Sequence, residues 1–139
     1  MWNKISASEL LPRDKISFDT VRKIGLEFPD VKDSTAYGSL ALKVRGALMA
    51  CVAINKSAEP GSLMVRVDID RRAELIEGAP DVYYVTDHYV NYPCVLVRLS
   101  RIDSDALRDL LGMAWRFVTA KEVGGTRPVR KTTPTRKPR

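Results

Sequence analysis

Apolar residues recur at helical spacing near the start of the chain, at Phe18, Val21, Ile24 and Phe28, and the run ends at Pro29. Ser17 stands where an N-cap belongs, so a first helix is expected from Phe18 to that proline. The period then falls from 3.6 to 2. Leu40-Ala41-Leu42-Lys43-Val44-Arg45 alternates and stops at Gly46, Ala47 to Ile54 is more uniformly apolar and stops at Asn55, and Leu63 to Val67 follows a Glu59-Pro60-Gly61 turn. A short helix from about Asp70 to Glu77 closes on Gly78 and Pro80, with Ala73 and Ile76 facing inward. After an aromatic stretch, a fourth strand reads from Cys94 to Leu99. Asp103 or Ser104 caps a last helix in which Leu107, Leu110, Leu111, Ala114 and Val118 form one stripe. This order predicts an α+β fold: a two-layer sandwich with helices on one face of an antiparallel sheet.

Alternation also assigns faces. Leu40, Leu42 and Val44 share one side, with Leu63, Val65, Val67, Val95, Val97 and Leu99 on the same inner face. The other face would then be open and would display Lys43, Arg45, Arg66 and Arg98, with Asp68 as the nearby acid. The ordinary reading of such cations is solvated strand residues that discourage edge pairing. The functional reading is a cationic surface for phosphates.

Charge sharpens the picture. The chain has 139 residues and a formal net charge of +6. From Lys121 onward there are seven cations and one anion, so the whole net charge lies there and the preceding 120 residues are balanced. Residues 1–16 read as an N-terminal extension, 17–121 as the folded domain, and 122–139 as a disordered basic tail rich in Pro and Thr. Arg127, Arg130, Lys131, Arg136, Lys137 and Arg139 would gather phosphates by counterion release without reading sequence. No apolar run approaches the length of a membrane span and the start lacks a secretory apolar core, so a cytoplasmic protein, monomeric or a small oligomer, is expected.

Chemistry concentrates between Val82 and Pro93, which holds four of the five tyrosines and the single histidine. Tyr84, His88, Tyr89 and Tyr92 make a candidate pocket with His88 as a possible general base. Against this, Asp87 adjoins His88 in sequence and adjacent residues rarely face one another, so no dyad is implied. Tyrosine and histidine side chains also tie down connections by hydrogen bonding to backbone. Cys51 and Cys94 sit in apolar runs and read as buried thiols, with a disulfide open to them only if their strands adjoin. One histidine and two distant cysteines make no zinc site, and no phosphate loop or nucleophile elbow is present. No cofactor, metal or catalytic activity is expected.

The order Tyr37-Gly38, Leu42-Lys43-Val44, Val65-Arg66-Val67-Asp68, Arg72-Ala73-Glu74-Leu75, Tyr83 to Tyr89 and Pro93 to Leu99 resembles the MmcQ/YjbR family, from about Phe18 to Lys121. That resemblance implies a small α+β domain similar to the frataxin-like (CyaY-like) fold. It also implies DNA binding by a "double wing" of two β-hairpins, which here would draw on Lys43, Arg45, Arg66 and Arg98. The chain departs from the family where Cys94 replaces a common Trp, Leu42 an aromatic and Ala47 a Lys. Frataxin-like iron handling is not expected, because Asp19, Glu27, Asp30 and Asp33 are interleaved with Arg22, Lys23 and Lys32.

Three functions follow as expectations. The first is a largely sequence-nonspecific nucleic-acid-binding protein that contacts a DNA or RNA backbone through tail and sheet face. The second is a small-ligand domain, with a solvent-open pocket walled by His88. The third is a protein-interaction module, with an exposed apolar patch around Met49, Cys51 and Leu96.

Overall fold

The structure, a computed structural model, describes residues 16–124. Helix α1 (Phe18–Gly25) leads into strands β1 (Val31–Ala36), β2 (Ser39–Val44), β3 (Ala47–Val52) and β4 (Ser62–Arg66). Helix α2 (Ile69–Gly78), strands β5 (Tyr83–Tyr84) and β6 (Cys94–Arg98), and helix α3 (Ser104–Gly124) complete it. The six strands form one antiparallel sheet in the order β1-β2-β3-β4-β6-β5. The fold is α+β, as the periodicity predicts.

Local chemistry explains most of the boundaries. Asp103 Oδ1 accepts from the Ala106 N–H at 2.8 Å and so caps α3, while Asp68 caps α2 rather than standing on a sheet face. Ser17 holds the N-cap position of α1 without a side-chain hydrogen bond. Helix α1 ends at Gly25, one turn before Pro29, and the Pro29 carbonyl accepts from Trp115 Nε1 at 2.9 Å. Gly25 lets α1 approach the sheet, because a methyl group there would overlap the Leu42 side chain. Helix α3 runs past the boundary expected at 121. The basic tail cations from Arg127 to Arg139, like residues 1–15, lie outside the described residues.

The inner face is as expected at most positions. Leu42, Val44, Leu63, Val65, Val67, Val95, Val97 and Leu99 pack against Leu107, Leu110, Leu111, Ala114 and Val118 of α3. Two positions differ. Leu40, next to the β1–β2 turn, is 52% exposed, and Ala73 is exposed because Arg72, Leu75 and Ile76 take the packed side of α2. Strand β1 and the two-residue β5 carry no periodic apolar signal that would announce them. A register shift between Leu42 and Lys43 buries both Met49 and Ala50 on the helix side and turns Cys51 to the other.

The second face is not open. Cross-strand pairing lines up Ala41, Cys51, Met64, Leu96 and Tyr84 in one row across β2, β3, β4, β6 and β5. Ala41, Cys51, Met64, Cys94 and Leu96 form a second buried cluster against which Tyr84, Tyr89 and Tyr92 pack. Cys51 and Leu96 are therefore buried, Met49 is buried on the helix side, and the apolar patch expected for a docking module is absent there. Residues 86–93, a connection with few strand features, cover this face and convert a supposed surface into a small second core.

A tyrosine-lined cleft on the second sheet face

The cover is incomplete at one place. Between the β1–β2 turn, the end of β3 and the cover lies a cleft of ≈ 690 Å³. Cys51 and Met64, direct cross-strand partners on β3 and β4, line its base. Tyr37, His88, Tyr89 and Tyr92 supply aromatic walls, and Ile54, Asn55 and Lys56 line the side formed by the chain leaving β3. The site is mostly apolar and aromatic with a few polar groups, the usual make-up of a small-molecule site.

The cover is held by side-chain contacts. Arg72 projects from α2 into the protein and donates to the carbonyls of Val90 at 2.9 Å, Tyr92 at 3.2 Å and Cys94 at 3.1 Å. That buried guanidinium ties the cover to the first residue of β6. Arg66 donates to the Pro93 carbonyl at 3.2 Å and lies over the Tyr92 ring, 4.7 Å from its centroid. The Asn55 backbone faces the Tyr89 hydroxyl and favours its ionised form. Burial raises the ionisation of both Tyr89 and Tyr92 above the ordinary tyrosine range, with nearby Arg66 opposing the rise at Tyr92. His88 is exposed and meets Tyr89 edge to face at 4.8 Å. No carboxylate hydrogen-bonds His88 among the described residues, so nothing there orients it as a general base.

Three of the four residues expected in the pocket do line it. Tyr84 does not: its hydroxyl accepts from the Glu59 N–H at 2.8 Å and shares a 2.6 Å hydrogen bond with Ser62 Oγ, pinning the turn before β4. Tyr37, Asn55 and Lys56 also line it, outside the Val82–Pro93 cluster. The Tyr37-Gly38 turn signal is visible in the chain, but its position beside Tyr92 depends on how the β1–β2 hairpin lies.

The cations expected on an open face are placed differently. Arg98, whose side chain is 24% exposed, makes two hydrogen bonds to the Glu59 carboxylate at 2.8 and 2.7 Å and others to the Pro80 and Asp81 carbonyls. Arg66 is held as above. Arg45 bonds Asp30 at 3.0 Å, and Lys43 is half-buried opposite Lys32. Arg66 pairs with Cys94 and Arg98 with Ser62, so these two arginines stand at opposite ends of the β4–β6 pair, about 13 Å apart. They do not form one patch.

Cys51 and Cys94 are free thiols on β3 and β6, with β4 between them, so no disulfide joins them. Desolvation pushes both up to about 11. Among the described residues no group of three His, Cys, Asp or Glu side chains is placed to hold a metal, and no helix is long and apolar enough to cross a membrane.

Residues 26–117 match the family model YjbR. The chain belongs to the YjbR family. A solved structure with the same fold is that of Deinococcus radiodurans protein DR2400, described as a DUF419 domain: TM-score 0.64, 24% identity, covering 81% of this chain and 85% of that one. Over 49 residues the chain is 41% identical to the mycobacterial proteins Rv2570 of Mycobacterium tuberculosis and Mb2600 of Mycobacterium bovis, each described as an uncharacterized protein. That match spans 35% of this YjbR chain and 38% of those relatives' length.

Proposed function

We propose that this YjbR domain binds nucleic acid through unstacked bases. The tyrosine cleft accepts a base of a single strand, and the cationic residues from Lys121 onward attract phosphates without regard to sequence. The observation that carries the reading is the convergence of Tyr37, His88, Tyr89 and Tyr92 over Cys51 and Met64, with Lys56 beside them. Base–aromatic stacking tolerates any sequence because every base has a π-face. A protein whose net charge of +6 lies at one end of the chain is well suited to gather such a strand. Duplex binding by a cationic sheet face has weaker support, since Arg66, Arg98 and Arg45 are engaged within the protein. A binding rather than catalytic role fits thiols held protonated and a His88 without an orienting carboxylate.

The test is fluorescence anisotropy of the full chain with a short labelled oligothymidylate and with a duplex, over a salt series. The reading expects preference for the single strand and a log–log salt slope of about −5 if all seven cations engage. His88→Ala and Lys56→Ala should each weaken binding several-fold. Changing the six cations from Arg127 to Arg139 to Gln should flatten the slope. Equal affinity for duplex, untouched by the cleft variants, would sink it.

A further inference from the structure

Tyr37 sits at the first position of the two-residue turn between β1 and β2, at φ 54°, followed by Gly38 at φ 76°. Turns of this kind need positive φ at both positions and favour Asn, Asp or Gly, because a Cβ there is crowded. A bulky aromatic in that conformation is an outlier that asks for a reason.

The next hairpin offers a comparison. Arg45 occupies the equivalent position at φ 52° before Gly46, and its ion pair with Asp30 at 3.0 Å gives the side chain a structural return. Tyr37 has no such return. It is 72% exposed and makes no hydrogen bond, ion pair or ring contact among the described residues. It does line the cleft, close enough to Tyr92 to influence that hydroxyl's ionisation. A strained, exposed aromatic without an internal partner thus stands beside an aromatic cleft.

We infer that Tyr37 is the residue whose ring stacks on the occupant of the cleft, retained at a cost to the turn's own stability. This inference rests on the reading above, and it specifies the shared ligand chemistry as a nucleotide: a planar base carrying an anionic phosphate, with Lys56 as the cation lining the cleft. A free nucleotide and one unit of a single strand both present that chemistry.

The experiment uses full-length Tyr37→Asn and Tyr37→Phe proteins. It reads the thermal midpoint, anisotropy with labelled oligothymidylate, and competition by free thymidine monophosphate. Tyr37→Asn relieves the turn and removes the ring, so the midpoint should rise by about 2–4 °C while affinity falls about tenfold. Tyr37→Phe keeps both strain and ring, and should match the wild type in both. Competition by the free nucleotide at concentrations that fill the cleft would identify it as a sufficient occupant, whereas binding of the strand alone would identify the chain; either supports the contact if Tyr37→Asn weakens it. A lower midpoint for Tyr37→Asn would make Tyr37 a structural residue and overturn the inference. Unchanged affinity beside intact wild-type binding would overturn it while leaving the proposed function standing. A wild-type chain that binds neither probe would overturn both.

Discussion

The Arg98 guanidinium lies over the Tyr84 ring, 4.3 Å from its centroid, while Nε and Nη2 donate to the two oxygens of Glu59. A cation that strand alternation assigns to a surface is thereby an internal tie, joining β6 to the turn that precedes β4. Tyr84 completes the knot by bonding the Glu59 N–H and Ser62.

This tie predicts a pH signature. The hydrogen bond from Arg98, assisted by its charge, holds the Glu59 carboxyl below its ordinary range. A carboxylate with a lowered folded-state pKa contributes stability that is full above its unfolded value and is lost as pH falls through the folded one. Glu59→Gln should therefore be less stable than wild type at pH 7. The gap should close as pH drops below the normal glutamate range. Denaturant unfolding at both pH values checks this, and a gap that persists in acid would mean that the carboxylate charge is not what matters.

Arg72 is the more consequential cation. Its partners are the carbonyls of Val90, Tyr92 and Cys94, and breaking a buried charged donor's contacts leaves those acceptors short. Arg72→Met should cost about 2–4 kcal/mol in chemical denaturation. Arg72→Lys should recover part of that loss, since an ammonium has donors but lacks the planar fork. Because Arg72 anchors the wall bearing Tyr92, amide exchange at residues 89–92 should quicken in both variants. Unchanged exchange would show that the cover is held by its tyrosines alone.

The thiols give a third readout. With Cys51 and Cys94 both raised to about 11 by burial, little thiolate exists at pH 8. Alkylation of the native protein should run roughly a hundredfold slower than in denaturant, since the thiolate is the reactive form. Cys51, at the base of the cleft, should react before Cys94. The order is read by peptide mass analysis after partial labelling, and faster labelling of Cys94 would contradict this arrangement.

How far the site could be read along the chain differs from residue to residue. His88, Tyr89 and Tyr92 stand out as a local cluster, and the cleft does contain them. Tyr37 comes from a different segment than Cys51 and Lys56, and the three carry no joint signal. Tyr84 looks identical to its neighbours in sequence, yet its hydroxyl is spent on the Glu59-to-Ser62 turn. Strand β1, Val-Lys-Asp-Ser-Thr-Ala, lacks both a continuous apolar run and a clean alternation. It is a strand because β2 offers it a hydrogen-bonding edge.

The features legible along the chain are therefore local: the stripes of α1 and α3, a cap for α3 at Asp103 or Ser104, the alternation that sorts Val65 from Arg66 and Val97 from Arg98, and the family to which these patterns belong. Those features follow from backbone periodicity and short-range sterics, which each segment carries within itself. Packing between distant segments is what covers the second sheet face, brings Arg66, Arg72 and Arg98 into bonds within the protein, makes Asp103 the cap, and sets Tyr37 beside the cleft. Alternation says which way a side chain points, but what it meets depends on segments distant in the chain, here residues 86–93 folding back over β3, β4 and β6.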